Sequence, residues 1–293
     1  MISILIPCYD YNAYPLVSNI EKQALVLNIN FEIICIDDGS FSSKNELNQK
    51  INSLTNAKFI ESRKNLGRVK NRLLLAEKSQ YDWLLFIDVD TMPEMQEFLK
   101  IYLSNAIKNN LVFGGSKYIE TNKGNTSLRE KYGKNREEIN SKIRSKNPYK
   151  YISSMNFFGK KNIIIDTLTQ IETNSYGNDY VLGSILKKDK VKILHIDNPV
   201  VVKGIDSNQV FINKTHDALT NLLNNYKKNK IRNHNISILK AYTFLNSFFL
   251  KNIFLSITNL IKNRLKENLI SKNPNLFLFD LYRLRFLCEL KNS

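Results

Sequence analysis

Short apolar runs separated by segments of helical periodicity restrict this chain to one class of fold. Ile2–Ile6, Phe31–Ile36, Lys58–Glu61 and Trp83–Ile87 are largely apolar over strand-length stretches, the pattern of strands buried on both faces. Between them, Leu16, Val17, Ile20, Ala24 and Leu27 recur at helical spacing, as do Leu66, Val69, Leu73 and Leu74. Strand and helix in alternation predict an α/β fold, with a mostly parallel sheet flanked by helices and ligands bound at the carboxyl edge of its strands. At 293 residues, 43% of them hydrophobic, the chain can bury the core of one large domain with a helical appendix.

The second half is less regular. Residues 117 to 150, with Arg129, Lys131, Arg136, Arg144 and Lys146, are polar and charged, and read either as a solvated loop with helical pieces or as a mobile loop for an acceptor or diphosphate. Apolar order returns at Tyr151–Phe158, followed by a helix over Asn178–Lys187 and strands at Val191–Ile196 and Val200–Val202. From Gln209 the pattern is helical. Leu219, Leu222 and Leu223 mark one helix, Ile236, Leu239, Phe244, Phe248 and Phe249 a second, and Leu276–Leu290 a third. These shifts predict a domain over 1–206 (a donor half to about 116 and an acceptor half from 117) and a helical extension over 207–293.

Carboxylates sit where such a sheet presents groups to a ligand. Asp37-Asp38-Gly39-Ser40 follows the second strand, and ordinary turn chemistry also accounts for it. Asp88-Val89-Asp90 follows the fourth, with Met92-Pro93 expected to stop it. Side chains at i and i+2 of a strand share a face, so Asp88 and Asp90 should converge and repel unless a cation lies between them. A hard divalent ion, Mn²⁺ or Mg²⁺, takes such oxygens together with phosphate. Asn65-Leu66-Gly67-Arg68 opens a helix whose N–H groups suit a diphosphate, or are simply capped by Asn65. Asp179, in Gly177-Asn178-Asp179-Tyr180, reads as a first-turn acid or as a general base.

The net charge of +16 favours anionic partners: phosphate, nucleic acid or an acidic membrane. The basic residues are dispersed and no nucleic-acid motif is present, so nucleic acid is not an expected partner. Cys8, Cys35 and Cys288 are scattered and fit a reducing cytosol. No apolar stretch is long enough to span a bilayer, so a cytoplasmic protein is expected. Near the C-terminus, Ile253, Phe254, Ile257, Leu260 and Ile261 form an apolar face close to Lys251, Lys262, Arg264 and Lys266. Such a helix lies on an anionic membrane at the inner face of the plasma membrane, packs on the rest of the chain, or packs on a second copy.

Taken in order, Ile4-Leu5-Ile6-Pro7-Cys8-Tyr9, Ile36 to Ser40, Asn65 to Arg68 with Asn71, Asp88-Val89-Asp90 and Gly177 to Tyr180 resemble the family 2 glycosyltransferases of GT-A fold. The stretch Asp197 to Asp206 resembles a bacterial branch involved in surface-polysaccharide synthesis. The resemblance implies an inverting, metal-dependent transfer of a sugar from a nucleotide-diphosphate donor to a glycan or lipid-linked acceptor. It implies that Pro7, Tyr9, Asp37 and Asp38 face base and ribose, and that Arg68 lies near the diphosphate. Asp88 would contact ribose or the metal, and Asp90 would hold the metal. Asp179 would be the base, and Met155, Asn156, Phe157 and Asn178 would line the sugar and acceptor pocket. Two positions depart from the family: Asn178 stands where an acid is usual, and Val202 where the bacterial branch has a histidine. His195, His216 and His234 do not match that place. A catalytically silent relative that binds nucleotide is the alternative this departure raises.

Overall fold

The apolar runs become the strands that their pattern demands. The computed structural model describes residues 1–106, 111–119, 126–231 and 235–290. Strands β1 (Ile2–Cys8), β2 (Phe31–Asp37), β3 (Ala57–Glu61) and β4 (Trp83–Ile87) lie parallel in the order β3-β2-β1-β4. Ile4, Ile6, Ile33, Cys35 and Leu85 point to one apolar cluster, and Leu5, Ile34, Ile36, Leu84 and Phe86 to another on the opposite face. Each such side chain removed from water contributes roughly 1.5–3 kcal/mol, which is why β1, β2 and β4 carry no polar alternation, whereas β3, at the sheet edge, buries only Phe59 and leaves Lys58 and Glu61 exposed.

Helices cover both faces. α1 (Tyr14–Val26) buries Leu16, Val17, Ile20 and Ala24 in the first cluster, beside α2 (Lys44–Asn48) and α4 (Phe98–Ser104). α3 (Arg68–Lys78) closes the other face with Val69, Leu75 and Ala76. Its cap is Gly67 at φ +85°, not Asn65. A Cβ at Gly67 would fall 2.6 Å from Asn174, so glycine is required there on both grounds.

Beyond β4 the sheet changes sense. β8 (Asn156–Lys160) runs antiparallel between β4 and β6 (Leu111–Phe113), and β9 (Ile193–His195) completes a seven-stranded sheet. The run expected from Tyr151 thus enters the sheet only at Asn156. Met92-Pro93 does not end structure either. β5 (Thr91–Pro93) pairs antiparallel with β10 (Val200–Val202), which pairs in parallel with β7 (Ser116–Tyr118). This small second sheet stands over the end of β4.

The polar stretch 117–150 holds β7, α5 (Leu128–Tyr132), one π turn at 133–137 and α6 (Ser141–Lys146); residues 120–125 lie outside the described residues. α7 (Lys161–Thr169) and α8 (Asn178–Lys188) follow, then α9 (Asn208–Lys227), α10 (Ser237–Ser247), α11 (Lys251–Asn259), α12 (Lys262–Ile270) and α13 (Leu276–Glu289). The core does not divide at residue 206. Leu219, Leu222 and Leu223 of α9, Leu239 of α10 and Leu287 of α13 belong to the same cluster as Leu5 and Phe86.

Candidate active site

Parallel strands bring Cys8, Asp37, Glu61 and Ile87 to one edge, and the carboxylates lie just beyond it. β4 stops at Ile87, so Asp88 and Asp90 converge through a turn and not through strand alternation. In that turn the backbone N–H and hydroxyl of Thr91 both donate to the Asp88 carbonyl. The Asp88 carboxylate pairs with Arg72, a mostly buried side chain one helical turn beyond Arg68. Sequence reasoning missed Arg72, although its i+4 spacing from Arg68 places both on one face of α3.

Asp90 makes no ion pair among the described residues. Burial, and then the neighbouring charge of Asp88, push its carboxyl up to about 6, while Arg68 and Lys214 act against the shift. The Asp90 carbonyl accepts from Lys203 N–H at 2.8 Å and Gly204 N–H at 3.3 Å. A Cβ at Gly204 would come 3.1 Å from Asp90 Oδ2, so glycine keeps that oxygen's surroundings open. No three Asp, Glu, His or Cys side chains converge among the described residues. A hard cation held by one or two carboxylates and completed by substrate phosphate needs no such trio, and Asp90 fits that arrangement. Val202 is buried at 6% exposure and sits opposite Thr91 in the small sheet, which puts the departure from the family beside Asp90.

A cavity of about 430 Å³ opens next to this edge. Of the predicted residues it gathers Arg68, Asp88, Met155, Asn156, Asn178 and Asp179. Asp179 lies in the first turn of α8, after Gly177 at φ +82°. Its Oδ1 accepts from Ser154 N–H at 3.2 Å. Burial raises its pKa, opposed by the Ser154 bond and by Arg72, and reinforced by Asp88. Acid, Arg72 and Asp88 therefore form one electrostatic unit.

Other predicted residues are placed differently. Asp37, 1% exposed, accepts from Ser40 N–H and Oγ at 2.8 and 2.7 Å and from Asn45 Nδ2 at 3.2 Å. Asp38 accepts from Leu66 and Gly67 N–H, each at 2.8 Å, and burial raises its pKa. Of the pair expected to face base and ribose, Asp37 closes the turn after β2 and holds α2, while Asp38 ties β2 to the loop before α3 and takes its Leu66 and Gly67 N–H donors. Pro7 stays within β1 against Ile36, and Tyr9 is 57% exposed beyond the strand.

Phe157 is no pocket wall. It stacks on Phe86 and Phe113 at centroid distances of 5.0 and 5.7 Å, inside the sheet core. Asn156 is 2% exposed, receives the Tyr102 hydroxyl proton at 2.5 Å, and donates to Gly115 and Asn198 carbonyls at 3.0 Å. Asn178 is held by Thr173 and Asn221. His195 donates from Nε2 to the Pro148 carbonyl at 2.8 Å, which leaves Nδ1 to accept from Arg144 at 3.0 Å. Burial lowers its pKa to about 4. His216 stacks on Phe286 at 3.9 Å. Neither faces Asp90's sheet edge as a ligand, and His234 lies outside the described residues.

Beside the predicted Arg68 stands a cation that the sequence did not point to. The Tyr176 ring carries Arg68 at 4.7 Å and Lys214 at 5.7 Å. Lys214 belongs to α9 and is held by Asp206 at 2.7 and 2.8 Å, so a helix after residue 206 brings charge toward Asp90.

A parallel half-sheet with an acidic turn at its carboxyl edge, followed by an antiparallel half that carries a second acid, defines a GT-A glycosyltransferase fold. The Glycosyl transferase family 2 model matches residues 3–169, and the chain belongs to that family. Among solved structures, S. aureus TarS 1-349 is 14% identical, with a TM-score of 0.50, over 97% of this chain and 90% of that one. TarS 1-349 in complex with UDP-GlcNAc is 14% identical, with a TM-score of 0.48, over 76% and 66%. Glucosyl-3-phosphoglycerate synthase from Mycobacterium tuberculosis, in complex with Mn²⁺, UDP and glucosyl-3-phosphoglycerate, is 14% identical, with a TM-score of 0.48, over 76% and 79%. The chain spans 66% of the donor-bound TarS 1-349 structure and 40% of a longer TarS structure. Likeness at this identity is one of fold. No curated protein matches the sequence.

Proposed function

We propose that this chain transfers a sugar from a nucleoside-diphosphate donor to an acceptor hydroxyl with inversion at the anomeric carbon. The observation that carries the reading is the placement of Asp179. It is a desolvated carboxyl on the same cavity as Asp88, Arg72 and Arg68. A single displacement needs a base on one side of the sugar and stabilisation of the leaving diphosphate on the other. Asp179, once ionised, takes the hydroxyl proton, and a positioned base of this kind contributes about 10²–10⁴-fold. Arg68 and Lys214, aligned by the Tyr176 ring, meet the charge that develops on the diphosphate. Asp90, with Asp88 beside it, would hold Mn²⁺ or Mg²⁺, which when bound neutralises diphosphate oxygens. Arg72 fixes Asp88 and favours the ionised form of Asp179.

Likeness to the bacterial branch over Asp197 to Asp206 supports a place in capsule, lipopolysaccharide or other surface-glycan synthesis, with a glycan or lipid-linked acceptor. Val202, beside Asp90, favours a second reading in which the chain binds nucleotide without turnover. Release of free nucleoside diphosphate from a panel of nucleotide sugars separates the two. Turnover by the wild type that falls at least about a hundredfold in Asp179→Asn, with donor affinity kept, is the expected result. Wild-type turnover equal to that of Asp179→Asn would remove Asp179 as the base.

A further inference from the structure

The helices α10 and α11 carry a run of exposed apolar side chains. Phe244 and Phe248 stack on each other at 4.8 Å and are 56% and 63% exposed. One residue on, Phe249 is 89% exposed at the turn between the helices. Its φ of +57° belongs to a region that large side chains rarely adopt. Along α11, Ile253, Ile257 and Leu260 follow at helical spacing and are 57%, 61% and 86% exposed. The opposite sides of the same helices are committed to the core, through Leu239 and Tyr242 of α10 and through Phe254 and Leu255 of α11. The exposed stripe is therefore a second face, left over after folding.

The segment that carries it is rich in cations, one of which, Lys262, pairs with Glu289 at 3.6 Å. Between residues 236 and 275 stand Lys240, Lys251, Lys262, Arg264, Lys266 and Lys272, with Glu267 the single acid. Two copies related by a two-fold axis would set this charge against itself, which disfavours self-association. An anionic lipid surface satisfies both halves of the patch, taking the rings below the headgroups and pairing the amines with phosphates. Among the described residues no helix is long and apolar enough to cross a bilayer.

We infer that α10, α11 and the Phe248–Phe249 turn dock this protein on an anionic lipid surface. The surface is separate from the cavity, so sugar transfer and docking can fail independently.

Co-sedimentation of the full chain with mixed phosphatidylcholine–phosphatidylglycerol vesicles, and with pure phosphatidylcholine vesicles, tests this. Wild type should partition into the mixed vesicles, with salt weakening the binding. Phe248→Asn/Phe249→Asn should lower partition at least about tenfold. Asn tolerates the positive φ at 249 better than Phe does, so this variant should stay folded. Ile253→Asn/Ile257→Asn supplies a second variant with the same expected loss. Lys262→Gln/Arg264→Gln/Lys266→Gln should lose only the preference for anionic vesicles. Failure of the wild type to bind the mixed vesicles, or equal binding by both apolar variants, overturns the inference. So does a wild-type dimer that the Phe248→Asn/Phe249→Asn variant splits into monomers, since the face would then belong to a second copy.

Discussion

Asp90 holds its proton to about pH 6 because burial and Asp88 disfavour its charge. Its folded pKa lies above the unfolded value near 3.9, so the native state binds the extra proton between about pH 4 and 6. Stability from this group is present at the low end of that window and is lost as pH rises through 6, by up to about 3 kcal/mol at about 1.4 kcal/mol per pKa unit. Asp90→Asn should therefore stabilise the ligand-free protein at pH 7 and flatten its denaturant midpoint across pH 4–6. An unchanged pH profile in the variant would place the titration elsewhere. The sequence announced Asp88, Asp90 and Asp179 as acids near a strand end or helix start. It did not announce that Arg72 would pair with Asp88, or that Lys214 would arrive from a helix over a hundred positions further along. Partners distant in sequence are set by packing, which a single chain's pattern does not encode.

At the scale of elements, the turn before α8 positions Asp179, the proposed base. Gly177 has φ +82°, and a Cβ there would lie 2.7 Å from the Ala218 side chain of α9 and 2.9 Å from its backbone. Gly177→Ala should cost about 1–3 kcal/mol from backbone strain alone, more where α9 cannot yield, and should lower turnover by moving Asp179. Urea denaturation read beside kcat checks both; a variant of wild-type stability would show that the turn relaxes without penalty. The buried strands β1, β2 and β4 were legible because two-faced burial leaves no polar positions. β10 was read as a strand at Val200–Val202, but β5 and its pairing with β10 were not recognised, since a three-residue strand after a turn carries no period. Likewise Phe157 was assigned to a pocket on motif position, whereas the sheet's alternation turns it into the core; Asn156 does line the cavity, with its amide already engaged by Tyr102, Gly115 and Asn198.

For the whole molecule, the helical extension shares its core with the sheet. Leu219, Leu222, Leu223, Leu239 and Leu287 join one cluster with β1 and β4, and Lys214 reaches the Tyr176 ring from α9. A chain ending at residue 206 should expose this apolar surface and fail to give a cooperative melt, while the full chain unfolds in one transition. A soluble, cooperative 1–206 fragment would make the extension a separate unit. The change from strand–helix alternation to helices alone suggested a boundary at 206. Composition reports element type, and it is blind to which helices complete a core.

The central claim is a nucleoside-diphosphate donor bound at the edge that holds Asp90, and thermal unfolding tests it directly. The panel is UDP, GDP, dTDP and CMP, each with and without Mn²⁺, on wild type and Asp90→Ala. A nucleotide present at about a hundred times its Kd adds roughly 2.7 kcal/mol to the folded state. A nucleoside diphosphate should raise the wild-type Tm in a Mn²⁺-dependent way, and Asp90→Ala should lose that dependence. No shift with any nucleotide, or a Mn²⁺-dependent shift that survives Asp90→Ala, would contradict the account.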